Sequence, residues 1–195
     1  MAKANSLTFL DPQAPASAMA RRAVYTRLDE MYNWSAGVDN PYEVRGLHNL
    51  RIAAKRLRYT LEIFEDVIPP ACRAFADELA QMQDELGAMH DNDVMIALLR
   101  LCLGSEDAGL AYEQALVQAG KRKSKGKPLL PAGIVSAVLD PDAAPNATQR
   151  YGLEQLLLKQ SQLREERYQA FRRHWHQLQA RDFRRELLNL LSDTM

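Results

Sequence analysis

His48, Arg51, Lys55 and Arg58 stand at offsets of 0, 3, 7 and 10. On a helix that spacing confines them to about 80° of arc, with Arg51 to Arg58 covering roughly 10 Å of axis. Like charges so placed repel and add nothing to the helix that carries them. Such a row suits a ligand with several regularly spaced negative charges. Arginine offers flat, two-pronged recognition of phosphate oxygens, and lysine offers a compact point charge. The competing reading is a solvated face neutralised by acids of the next helix, and spacing alone does not choose between the two.

Two further arginines interrupt apolar faces. Arg27 falls among Ala16, Ala20, Ala23, Val24, Met31 and Trp34, and Arg164 falls among Leu153, Leu157, Tyr168, Phe171, Trp175 and Leu178. A guanidinium aimed into a helix bundle must be paired or hydrated, because an unpaired buried charge is costly. The expectation is that both edge a solvated cationic cleft shared with the row at 48–58. The alternative is that each pairs with a buried carboxylate or extends to the surface.

The 195 residues carry 25 Lys+Arg and 25 Asp+Glu, with 47% hydrophobic residues. That supports one domain with a sizeable core and argues against a disordered chain. Zero net charge sets the chain apart from a typical non-specific nucleic-acid binder, but the sum hides strong sorting. Residues 45–58 hold Arg45, Arg51, Lys55, Arg56 and Arg58 and no acid, whereas 62–107 hold eleven acids against Arg73 and Arg100. Five cations then fall within 121–127, and seven arginines within 164–185. Segregation of this kind creates local potentials that the total conceals. Cys72 and Cys102 lack CxxC spacing and read as reduced structural thiols of a cytoplasmic protein. No apolar run approaches the roughly 18 residues of a membrane span, and no signal-peptide pattern opens the sequence.

The elements that must position these groups are helical. Apolar residues recur at helical spacing and alternating stretches are scarce. The pattern predicts helices over 15–34, from just after Pro41 to about 67, and over 71–89. A fourth helix over 91–103 would be capped by Asp91 and closed by Gly104, and a fifth would run over 105–119. A long basic loop follows at 120–149, with an apolar centre at 134–139. A long helix over 150–179 and a short one over 182–191 complete the chain. The fold class is all-α, an antiparallel helical bundle with an additional C-terminal helix, made of a tail at 1–13 and one domain at 14–192.

The run from His48 through Arg51 to Lys55-Arg56-Leu57-Arg58 resembles the first signature of the CHAD (conserved histidine α-helical domain) family. The stretch Leu86-Gly87-Ala88-Met89-His90-Asp91-Asn92-Asp93-Val94 is similar to the family's second landmark, and Arg164, Tyr168, Phe171 and Trp175 to its closing helix. The resemblance covers roughly 14–191. It implies an all-helical fold whose basic helices line a groove for inorganic polyphosphate, with no catalysis and no cofactor. Carried over by position, His48, Arg51, Lys55, Arg56 and Arg58 would be contacts, with Arg164, and Arg27 by the argument above, in support. Such domains usually hold two basic signature helices and this chain has one; Ala80 stands where a lysine is common. A two-fold homodimer would rebuild the missing half. The resemblance further implies a role in phosphate metabolism, as a polyphosphate-granule protein or as a phosphate-status sensor; the missing membrane span and nucleic-acid reading motif argue for no membrane partner and no specific nucleic acid.

Two alternatives belong to other classes. His48, His90-Asp91 and a distal aspartate such as Asp140 or Asp142 loosely imitate the ligand order of an HD-type metal-dependent phosphohydrolase, which would require convergence at about 2.0–2.2 Å on a metal. Yet Asp91 reads better as a cap, and His48 stands in a cationic row that opposes a second positive charge. The other alternative is a helical scaffold that presents the acidic third and fourth helices to another protein. No phosphate-loop, dinucleotide or nucleophile-elbow motif is present.

Overall fold

The computed structural model describes residues 4–5, 13–104 and 145–192. The expected helix at 105–119, the basic run at 121–127, the apolar segment at 134–139, and Asp140 and Asp142 lie outside the described residues. Those described form an all-α helical bundle of α1 (Ala16–Tyr32), α2 (Val44–Ile63), α3 (Cys72–Cys102), α4 (Ala147–Ala180) and α5 (Phe183–Ser192), with a 3-10 turn at Ser35–Gly37. None of these helices is long and apolar enough to cross a membrane.

Two compact units divide the chain: Met1–His90 with Glu165–Met195, and Asp91–Arg164. The first holds the main core. Ala20, Ala23, Ala53 and Ala54 are fully buried, and these small side chains let α1 and α2 approach closely. Leu28 and Met31 of α1, Leu50 and Leu57 of α2, Leu79 and Met82 of α3, Phe171 of α4 and Leu187 of α5 fill the centre. The Tyr168 hydroxyl donates to the carbonyl of Val38 at 2.9 Å, tying α4 to the α1–α2 connection. Phe75 and Phe183 meet at 5.0 Å between ring centroids. Asp182, at φ 61°, turns the chain between α4 and α5, a left-handed position that aspartate tolerates better than most residues.

In the second unit the polar side chains find partners across helices. Asn92 donates to Gln160 Oε1 at 2.5 Å, and Arg150 donates to the carbonyl of Leu103 at 3.2 Å. Gly104, at φ 78°, ends α3 as its sequence position predicts.

Three boundaries differ from expectation, the first being the end of α2 at Ile63 rather than about 67. The break expected at Asp91 does not exist, because α3 runs without interruption through Gly87, His90 and Asp91. Asn92 and Asp93 bond to α4 side chains, so they do not compete for the backbone groups that a cap would take. Helix α4 begins three residues earlier than the apolar pattern indicates. Asn146 and Gln149 exchange side-chain-to-backbone hydrogen bonds at 3.0 Å in both directions, a capping box that fixes the start.

Asp39, after the 3-10 turn, accepts from Arg172 Nε at 2.7 Å and lies 3.0 Å from His176 Nε2. The Arg172 hydrogen bond, and then that of His176, hold its carboxyl below the usual carboxylate range. A carboxyl depressed in the folded state stabilises the protein above its unfolded value of about 4 and loses that contribution as pH falls through the folded value. Asp39→Asn should therefore flatten the acid limb of stability against pH below about 4, measured by urea unfolding across pH. An acid limb identical to that of the wild type would contradict this role.

Candidate functional site

Helix α2 is amphipathic in the sense its sequence predicts. Leu47, Leu50, Ala54, Leu57 and Leu61 are buried, and the row of His48, Arg51, Lys55 and Arg58 runs beside them, with Lys55 exposed and the other three half-buried. What lies against that row is set by an antiparallel register between α2 and α3. The rings of His48 and His90 are 4.7 Å apart between centroids, inclined at 43°. One turn further along α2, the Arg51 guanidinium lies over Gly87, so near that a Cβ built there would sit 3.3 Å from Arg51 Nε. Each three-residue step forward on α2 is thus matched by three residues back on α3. Continuing that register brings Lys55 level with Gln83 and Arg58 level with Ala80. On that register the positions of α3 that face the row are His90 and Gly87 by contact, and Gln83 and Ala80 by extension. None of them is an acid.

The acids of α3 turn elsewhere. Glu85 Oε2 lies 2.8 Å from His174 Nδ1, and Glu78 accepts from Nη1 and Nη2 of Arg181 at 2.7 and 2.6 Å. Asp77, Asp84 and Asp91 are exposed. Among the described residues no carboxylate lies within 4.0 Å of the charged groups of Arg51 or Lys55. The reading in which third-helix acids neutralise the row is therefore not what α3 presents. Arg58 makes one long contact along its own helix, Nε to Glu62 Oε1 at 3.5 Å, and Glu62 is 47% exposed, so solvent screens the pair. Lys55 Nζ and Arg58 Cζ stand 5.4 and 4.9 Å from the centroid of the exposed Tyr59 ring, within cation–π range.

The remaining candidates are placed differently. Arg56 falls about 100° around α2 from Lys55 and so leaves the row. Arg27 is held inside α1: its Nη1 donates to Glu30 Oε1 at 2.7 Å and to the carbonyl of Asn5 at 3.1 Å, and Glu30 also accepts the Asn5 backbone N–H. Arg27 and Glu30 side chains are only 12% and 6% exposed. Arg164, in the second unit, donates from Nε to Asp93 Oδ1 at 2.9 Å. Pairing with a carboxylate, the alternative to a cleft-edge position, is what both arginines do. Sequence reasoning missed Gly87 as the surface under Arg51 and Tyr59 as the ring shared by two cations, and brought His90 near His48 only in the metal-dependent alternative. For Tyr59 the signal was present, because it follows Lys55 by four residues. For Gly87 it was not, since its contact depends on the register between two helices.

His48 and His90 do meet, as the metal-dependent alternative requires. Among the described residues, however, no group of three or more His, Cys, Asp or Glu side chains is placed to hold a metal ion.

Removing the Arg27 charge tests its role directly. Arg27→Met leaves the Glu30 carboxylate buried without its ion pair and should cost ~3 kcal/mol of stability, read by urea unfolding, with anion affinity unchanged. Adding Glu30→Gln should recover part of the loss. A fall in anion affinity at unchanged stability would instead make Arg27 a ligand contact.

The comparisons with known proteins bear on these helices. The chain matches the family profile described as CHAD domain over residues 2–100, which is 99 of its 195 residues and includes α1, α2 and almost all of α3. No curated protein matches the chain, and no solved structure does. CHAD domains are known to bind polyphosphate and act generally as non-catalytic binding domains. With the cation row of α2 and the facing strip of α3 both inside the matched segment, the chain belongs to the CHAD domain family.

Proposed function

We propose that this protein binds inorganic polyphosphate, without catalysing its turnover, along the row His48, Arg51, Lys55 and Arg58. The observation that carries the proposal is that Arg51 and Lys55 have no carboxylate partner among the described residues, while His48 and Arg51 lie against His90 and Gly87 of α3. Family membership supports the same ligand.

The physics of the ligand fits. Polyphosphate carries about one charge per phosphate and no base to be read, so a line of cations is sufficient recognition. Binding then gains from the release of condensed counterions and weakens as salt rises, as for other polyanions. Arg51 and Arg58 supply two-pronged contacts to phosphate oxygens, and Lys55 supplies a point charge between them. His48, packed on His90, adds a ring N–H donor at one end of the row. Arg164 and Arg56 are outside this minimal set. Two copies paired about a two-fold axis would double the length of cationic surface offered to one long chain. The setting we propose is the cytoplasm, where a long polyphosphate or its granules would be the partner.

Titration with long-chain polyphosphate, triphosphate, ATP and single-stranded DNA at two salt concentrations tests the proposal, with light scattering in the same buffers. Wild-type protein should prefer long polyphosphate, bind it less tightly at the higher salt, and scatter as a dimer. Lys55→Glu and Arg58→Glu should each weaken binding by about tenfold or more, since each reverses a charge at the row. Equal binding of DNA, or unchanged affinity in both variants, would contradict it.

A further inference from the structure

We infer that Gly87 is a positioning residue for the α2 row, kept free of a side chain so that the Arg51 guanidinium can lie flat against α3. The inference rests on the proposed polyphosphate site and adds to it a residue that carries no charge.

Gly87 sits in the interior of a continuous helix, where alanine is the more favourable residue. No backbone reason requires glycine there, because its φ is not positive; Gly104 is the one described glycine that has such a φ. It does not end α3, which continues through it to Cys102. The steric reason is a single neighbour. The three atoms nearest to a Cβ built at Gly87 are Arg51 Nε at 3.3 Å, Nη2 at 3.7 Å and Cζ at 3.9 Å, all from one guanidinium. Even the smallest side chain would push that group outward by a few tenths of an ångström, and a longer one would displace it.

The contact matters because of what Arg51 lacks. No carboxylate holds it among the described residues, and its Nε is shielded from solvent without a hydrogen-bond partner among them. Packing against the bare backbone of α3 is therefore what orients the guanidinium. An arginine whose plane is set before the ligand arrives loses less side-chain freedom on binding, and planar recognition of phosphate depends on that plane. Gly87 thus weakens α3 while fixing the geometry of a cation on α2.

The test places Gly87→Ala and Gly87→Met in the wild-type and Arg51→Ala backgrounds, each titrated with long-chain polyphosphate by calorimetry and followed by thermal unfolding. In the wild-type background the two substitutions should weaken binding in the order Ala then Met, reaching about tenfold for Met, the scale of one charge-assisted contact. The thermal midpoint of Gly87→Ala should stay at or above that of the wild type, because alanine is the better helix former. In the Arg51→Ala background neither should reduce affinity further, since both act through the missing guanidinium. Wild-type affinity in both Gly87 variants while Arg51→Ala weakens binding would overturn the inference and leave the proposed site standing. An equal additional loss in the Arg51→Ala background would also overturn it. Undiminished binding by Arg51→Ala would sink the proposed site itself, and the inference with it.

Discussion

Arg51 and Lys55 on α2 meet no carboxylate, among the described residues, from the helix they lean on. A bundle rich in acids would ordinarily neutralise such a row, and α3 is rich in acids. The antiparallel register decides otherwise. With His48 against His90 and Arg51 over Gly87, the positions of α3 that face the row are an imidazole, a glycine, an amide and an alanine. The carboxylates of Glu78 and Glu85 are drawn instead toward Arg181 and His174. Shift the pairing of α2 and α3 by a residue or two and the same sequence would place Asp84 beneath the cations.

Two kinds of arginine follow from this arrangement. Arg27 and Arg164 sit in largely buried surroundings and are each matched by an acid, Glu30 and Asp93. Breaking such a pair is costly because the partner is left charged and desolvated, so these residues hold the fold in place. Arg51 and Lys55 have no such acid, gain nothing from helix electrostatics, and repel their neighbours along the row. A cost of that kind is characteristic of a surface built to receive charge from outside. The same contrast shows how 25 cations and 25 acids balance in sum while the charges are sorted along the chain, with some arginines paired to acids such as Glu30, Asp93 and Glu78.

The parts of this arrangement that depend on one helix were legible in the sequence, and the parts that depend on two were not. Alternation of Leu50, Ala54, Leu57 and Leu61 with the cations located both faces of α2, and Gly104 marked the end of α3. The pairing of Arg27 with Glu30 was within reach, since three residues separate them on one helix, but the apolar neighbours of Arg27 pointed toward a cleft. The continuity of α3 was misread because Asp91, Asn92 and Asp93 resemble a helix start. Only their partners on α4, Gln160 and Arg164, reveal them as interior positions. The capping box of Asn146 and Gln149 was written in the sequence and obscured by the lack of apolar residues around it. Gly87 gave a misleading signal of its own, because glycine in a helix suggests an end until the guanidinium that occupies its space is known.

The central claim is that a repeating anion docks on the α2 face over the uncharged strip of α3. Side-chain nitrogen NMR, following the Arg Nε–H and Lys Nζ signals while long-chain polyphosphate is added, addresses it without any substitution. The account predicts that Arg51, Lys55 and Arg58 respond first and together, with Arg27 and Arg164 unmoved at the same ligand concentration. Early shifts confined to cations away from α2, with the signals of Arg51 and Lys55 unchanged at saturation, would contradict it.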